Sequence, residues 1–172
     1  MALPFLGKSQ EAIFKAYKDN PKVTFMSLKP KMFQMIAEMG INLEDKAAAD
    51  YINMVKSITS YKTLITTDSA ITNEIATWID SKANTLEPLM EHQESGKIVK
   101  FYGKTNNEKN YAKELLIFVN ALNSIKATDT LTTNLNTAKE TSLILFTGHI
   151  NLNEISKLTD KMSIPGGLHL SK

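Results

Sequence analysis

The spacing of apolar positions changes several times along the chain, and each change predicts an element. Near the start, Ala12, Ile13, Ala16 and Tyr17 fall on one face of a helix. Ser9 opens it, Glu11 lies in its first turn and Asp19-Asn20-Pro21 ends it. "VTFMSL" (Val23–Leu28) is apolar on both faces and predicts a buried strand. Pro30 suits the first turn of a second helix, with Met32, Phe33, Met35, Ile36 and Met39 as its apolar face and Gly40 as its stop. Asn42, with Asp45 three residues on, starts a third helix whose face is Ala49, Ile52 and Val55. "SITSYKTLITT" (Ser57–Thr67) is rich in β-branched residues and predicts a strand. Asp68 or Ser69 caps a helix carrying Ile71, Ile75, Trp78 and Ile79, which Asn84 to Pro88 breaks.

The second half changes to period two. "LMEHQESGKIVKFYGK" predicts a hairpin: a short strand, a Glu-Ser-Gly turn and a long strand. "NNEKN" is a turn, and Lys113–Leu122 and Ser142–Ile150 are further strands. Their cores, "LLIFV" and "LILF", are apolar on both faces and belong at the centre of a sheet. Strands joined by turns pair antiparallel, because a parallel pair needs a long crossover. The expectation is a single α+β domain over residues 1–172. It has an antiparallel sheet of about five or six strands with helices packed against it. Either both sheet faces are covered or one meets a partner subunit. Ser124–Thr141 is poor in large apolar residues and rich in Thr and Asn, which marks a polar loop or insertion at about 124–141. Asn151 then reads as a helix N-cap with Glu154 three residues on, flanked by Ile150 and Ile155 as a hydrophobic staple. Leu152, Ile155, Leu158 and Met162 form that helix's stripe.

Composition narrows the chemistry. The 172 residues are 42% apolar and suffice for one core. Twenty basic and 18 acidic residues give a net charge of +2 and are spread along the chain, unlike the clustered charge of a nucleic-acid footprint. The apolar runs are too short to span a bilayer. With no cysteine, the chain holds no disulfide, thiolate metal site or cysteine nucleophile. "MALPFLG" is too short and weakly charged for a secretory signal, which leaves a cytosolic protein or a mature form with a replacement Met1.

No motif carries a catalytic assignment, and no catalytic, cofactor-binding or metal-binding residue is expected. His92, His149 and His169 stand at no metal spacing on one helix face. Serines occur without a Gly-x-Ser-x-Gly elbow. Glu44-Asp45 suits a helix N-terminus, and Asp160 lies late in its helix as a solvated residue. Gly103-Lys104-Thr105 fails as a phosphate loop, because position 98 is Ile and a turn follows, so it reads as a strand end. Lys100, Tyr102 and Lys104 share one strand face opposite Phe101, with Lys97 nearby. They form either a small positive strip or a solvated sheet face. Eight methionines, four of them between Met26 and Met39, read as core filler before adaptable binding surface. Pro165-Gly166-Gly167 follows a helix, whereas a phosphate cradle precedes one. The run is therefore a helix stop and turn that lets Leu168 and Leu170 fold back.

Several segments carry a family likeness: "KIVKFYGK", "KELLIFV", the strand reaching Thr147-Gly148, "INLNEISKL", the "IPGG" tail, and "NPKVTFMSLKPKMFQMI" near the start. In that order they resemble the domain-of-unknown-function family 4252, although Ser124–Thr141 is longer than its pattern. The resemblance implies a small exported protein of Bacteroidota, often made with a secretion or lipoprotein signal. This chain would then be a mature periplasmic or envelope domain, without a lipid-accepting cysteine. The family brings no established activity or catalytic residues. The leading expectation is a non-enzymatic envelope protein that binds a partner or serves envelope maintenance or regulation. The alternatives are an enzyme with a site assembled in space near His149, and a structural subunit of a homodimer. A deep polar pocket holding His149 or His92 with a carboxylate would favour the enzyme. A shallow surface with one exposed apolar sheet face would count against the enzyme and favour the binding module.

Overall fold

The computed structural model describes residues 10–38, 53, 55–82, 85–94, 96–106, 108, 110–121 and 140–154. In chain order these form α1 (Glu11–Tyr17), β1 (Val23–Leu28), α2 (Pro30–Glu38), β2 (Ile58–Thr66), α3 (Ser69–Lys82), β3 (Glu87–Glu94), β4 (Lys97–Thr105), β5 (Tyr111–Asn120) and β6 (Thr141–Asn151). The six strands make one antiparallel sheet in the order β1-β2-β6-β5-β4-β3. The α+β architecture expected from the sequence is the one observed. Two local pieces, the β1–β2 pair and the β3–β4–β5 meander, are joined only by β6, which inserts between β2 and β5.

Strand alternation sorts the apolar residues into two cores. Leu64, Tyr102, Leu116, Phe118, Leu143 and Leu145 meet Ile13, Phe14 and Tyr17 of α1 and Ile71, Ile75, Trp78 and Ile79 of α3. On the other face, Val99, Phe101, Leu115, Ile117, Val119, Ile144 and Phe146 pack with Phe33 of α2 and with Val55. Each face of β5 and β6 is therefore buried, which is why "LLIFV" and "LILF" are apolar at every position. Tyr61 and Phe146 pack across the β2–β6 pair with ring centroids 5.1 Å apart. Both sheet faces thus carry packed helical residues, the first of the two arrangements the sequence allowed.

Polar contacts orient the helices. Asp68 caps α3, its Oδ1 accepting the backbone N–H groups of Ala70 (3.0 Å) and Ile71 (3.1 Å). The Thr72 hydroxyl donates to the Thr141 hydroxyl at 2.9 Å in the interior, tying the first turn of α3 to the start of β6. Tyr17 donates to Glu74, and Lys62 of β2 pairs with Glu11, so α1 is bound to both α3 and the sheet.

Several expectations are corrected. The α1 face is Ile13, Phe14 and Tyr17, whereas Ala16 is exposed. β1 is an edge strand with Thr24 and Met26 exposed. Six consecutive apolar-rich positions do not distinguish an edge from a centre. On α2 only Phe33 is shown buried. Met32 and Met35 are 45% and 47% exposed, so they are not core filler. Glu87 and Pro88, expected as breakers, begin β3, because an edge strand tolerates proline where no ladder N–H is needed. β3 is nearly as long as β4. β5 starts and ends two residues earlier than expected, because Asn110 takes a left-handed turn conformation (φ 67°) and releases Tyr111 into the strand. Asn151 ends β6, and its Oδ1 accepts the Asn153 N–H in a turn. The third helix before Val55, the loop within 122–139 and the last helix from Ile155 lie outside the described residues.

Candidate functional site

His149, the residue around which a site was sought, sits on a distorted stretch of β6. Opposite β2, Ile58 faces Gly148 and Ser60 faces Thr147, which leaves Thr59 as an extra residue. Opposite β5, Ala112 faces Ile150 and Glu114 faces Thr147, which leaves the extra residue in β6. Bulges of this kind bend a strand and re-aim its side chains. Gly148 makes the bend possible. Its φ is 144°, and a Cβ there would lie 2.2 Å from the Ser57 carbonyl oxygen. Beside it the Thr59 and Thr147 hydroxyls meet at 3.1 Å.

The β4–β5 turn brings two partners to His149. Asn106 Oδ1 accepts the Glu108 N–H at 2.8 Å, an Asx turn that orients Glu108. Glu108 Oε2 then lies 3.3 Å from His149 Nε2. Tyr111 lies diagonally across the β5–β6 pair, and its ring stacks on the imidazole at 4.3 Å and 15°. Neither Glu108 nor Tyr111 was legible as a partner, because each is about forty positions away in sequence and only the register joins them. The side chains of His149 and Glu108 are 50% and 62% exposed, so the contact lies in water. Among the described residues it stands open to solvent on the surface. His92 is exposed on β3. The register aligns it with Val99, Val119 and Ser142, three strands away from β6. His169 lies outside the described residues. Among the described residues, no group of three His, Asp or Glu could hold a metal ion.

A hollow of about 220 Å³ lies beside the β3–β4 pair, lined by Pro88, Leu89, Met90, Glu91, Lys100 and Tyr102. That is smaller than the few hundred Å³ of a typical small-molecule site. Of the two alternatives for Lys100, Tyr102 and Lys104 on β4, a small positive strip or a solvated sheet face, neither is formed: the lysines meet carboxylates and Tyr102 is buried. Lys100 is held by Asp80 of α3 at 3.0 Å, which raises its pKa, and Lys104 faces Glu114 at 3.8 Å. Tyr102 is buried in the α3-side core, and that burial raises its phenol pKa. The reading of Gly103-Lys104-Thr105 as a strand end holds, since β4 ends at Thr105.

The third candidate is the β1 edge. Met26 is 43% exposed on the strand. After Lys29, α2 begins and carries Met32 and Met35, also exposed. These three are the large apolar side chains that the described residues leave most open to water. Lys29 and Lys31 lie at the same strand end, exposed and in no ion pair among the described residues.

A family model described as "Domain of unknown function (DUF4252)" matches residues 17–158. The chain belongs to this family. No curated protein and no solved structure matches the chain. The matched span of DUF4252 runs from the end of α1 through all six strands, and so includes the β1 edge, Glu108, Gly148 and His149. Pro165-Gly166-Gly167 lies beyond the span and beyond the described residues, so the tail is not part of the DUF4252 match. The Thr147-Gly148 pair is inside it and has a structural reason, the bulge that only glycine permits. No helix among the described residues is long and apolar enough to cross a membrane.

Proposed function

We propose that this member of DUF4252 is a non-enzymatic cell-envelope protein that acts by binding a protein partner. The observation that carries the reading is the exposed methionine group, Met26, Met32 and Met35, beside an outermost strand. Methionine is flexible and polarizable and adapts to varied partner surfaces. The open His149–Glu108 contact and the small hollow by β3 offer no comparable enclosure for a substrate. The envelope setting rests on the resemblance to exported proteins. A role in envelope maintenance or regulation would be exercised through the partner.

The test is co-purification from the native envelope fraction with the full-length precursor. The expected result is a protein retained by the wild-type chain and lost from a Met26→Ser/Met32→Ser/Met35→Ser variant. Recovery of nothing above control, or of the whole precursor in the cytosol, would overturn the reading. A second reading rests on the His149–Glu108 contact: an enzyme in which His149 accepts a proton and Glu108 orients it. It requires a hydrolytic activity on some model ester or amide that His149→Ala abolishes without lowering stability.

A further inference from the structure

The partner-binding reading leaves the mode of binding open, and the backbone of β1 supplies it. Val23 donates its N–H to the Asn20 carbonyl at 3.0 Å, outside the β1–β2 ladder. The Lys22 carbonyl, in the same trans peptide unit, points the opposite way and accepts from the Thr66 hydroxyl of β2 at 2.8 Å. Backbone groups alternate in direction along a strand. Thr24, Met26 and Leu28 therefore pair inward with Ile65, Thr63 and Tyr61, while Phe25 and Ser27 direct their N–H and C=O groups away from the sheet. β1 is outermost, and among the described residues no strand lies beyond it. It contains no charge and no proline, the usual guards of an edge.

We infer that β1 accepts an added strand, and that its occupant is an extended segment of another protein with acidic residues on both sides of a short apolar run. The inference rests on the partner-binding reading and names the surface and the partner's chemistry. Phe25 and Ser27 supply the main-chain hydrogen bonds, and exposed Met26 meets the side chains of the incoming strand. Charge selects the occupant. β1 is bracketed by Lys18 and Lys22 before it and by Lys29 and Lys31 after it. Lys22 is engaged by Asp68 at 2.7 Å and Lys18 by Asp19 at 3.8 Å, whereas Lys29 and Lys31 form no ion pair among the described residues. A second copy is the poorer occupant. Antiparallel pairing of β1 with itself through Phe25 and Ser27 gathers the Lys22 end of each copy at the Lys29 end of the other, one residue out of register, and like charges gathered at a strand end are unfavourable. An acidic segment meets the lysines with opposite charge.

The test uses the isotope-labelled full chain and two synthetic peptides, Asp-Asp-Val-Thr-Val-Thr-Val-Asp-Asp and its counterpart with Lys in place of Asp. The acidic peptide is expected to slow exchange of the Phe25 and Ser27 amides selectively. It should bind about tenfold more tightly than the basic one, a preference that added salt erodes. Ser27→Pro removes an outward N–H that β2 does not use, so it should abolish binding while the amide spectrum of β5 and β6 stays unchanged. Lys29→Glu/Lys31→Glu alters only exposed side chains and should reverse the peptide preference. Absence of binding by the wild-type chain, unchanged binding by Ser27→Pro, or protection confined to other strands would overturn the inference. So would a wild-type dimer in sedimentation that Ser27→Pro converts to monomer, since the occupant would then be a second copy. If an envelope partner still co-purifies with Ser27→Pro, the strand-addition inference fails and the partner-binding reading stands.

Discussion

The two edges of this sheet are built on opposite principles. β3 closes one side with Pro88 near its start, a bulge between Pro88 and Met90, and exposed Glu87 and Glu91 along its length. Proline withholds a donor, the bulge breaks the repeat that a new strand would follow, and the like charges repel another acidic edge. β1 closes the other side with "VTFMSL", which has none of these devices. Both are outermost strands of the same sheet, so general solubility does not explain why one is guarded and the other bare. On the strand-addition proposal, the guarded edge resists association and the bare edge accepts it.

The largest effect separates the edges from the centre. Leu116 is fully buried in β5, and Leu116→Ala should cost about 2–5 kcal/mol in chemical denaturation. Gly148→Ala comes next. The positive φ alone costs about 1–3 kcal/mol, and the overlap with Ser57 forces β6 away from β2, which should loosen the β1–β2 pair before the β3–β4–β5 meander. Hydrogen exchange strand by strand checks the order of loosening. Stripping the guards from the other edge is the third test. Pro88→Thr/Glu91→Thr should convert β3 into a sticky edge, visible as concentration-dependent association in sedimentation. A variant that stays monomeric would show that the two edges do not differ in the way described.

Acidity gives a smaller effect. The Lys62 hydrogen bond holds the Glu11 carboxyl below its ordinary 4.5. The Lys22 hydrogen bond, then the backbone N–H groups of Ile71 and Ala70, hold Asp68 below 3.8. Stability from both is present above those ordinary values and is lost as pH falls through the lower folded ones. Glu140 acts in reverse, since burial raises its pKa and protonation relieves a desolvation cost. The denaturation midpoint should therefore fall below about pH 4, and Asp68→Asn should flatten part of that fall. In base, burial pushes the Tyr61 phenol up to about 12, so stability should decline as pH rises from 10 through that value. The smallest effect belongs to the bare edge. Met26→Ser should change stability by no more than about 0.5 kcal/mol, because the side chain is already half in water.

The centre of the fold was legible because burial there acts on both faces. "LLIFV" and "LILF" read as central strands, and Asp68 with Ile71, Ile75, Trp78 and Ile79 read as a capped helix, as found. The edges were not legible in the same way. "VTFMSL" read as buried because apolar composition reports what a strand could bury, not whether a neighbour covers it. The positive strip on β4 vanished for a related reason: Asp80 and Glu114, which neutralise Lys100 and Lys104, arrive from α3 and β5. His149 was singled out as the centre of a site assembled in space, but its partners could not be foreseen, since the β4–β5 turn and the bulged register bring them there.

What the sequence determined by itself was the six strands, the capped helix at Ser69–Lys82 and the α+β class, because periodicity, caps and turn residues act over a few positions. Only the tertiary structure decided that β6 inserts between β2 and β5, uniting two local pieces into one sheet with β1 at its rim. That choice depends on pairing across about eighty residues between β2 and β6, where loop closure and the fit of two buried faces compete. No local pattern encodes the outcome, so the bare edge and the exposed methionines beside it emerge only when the last strand is in place.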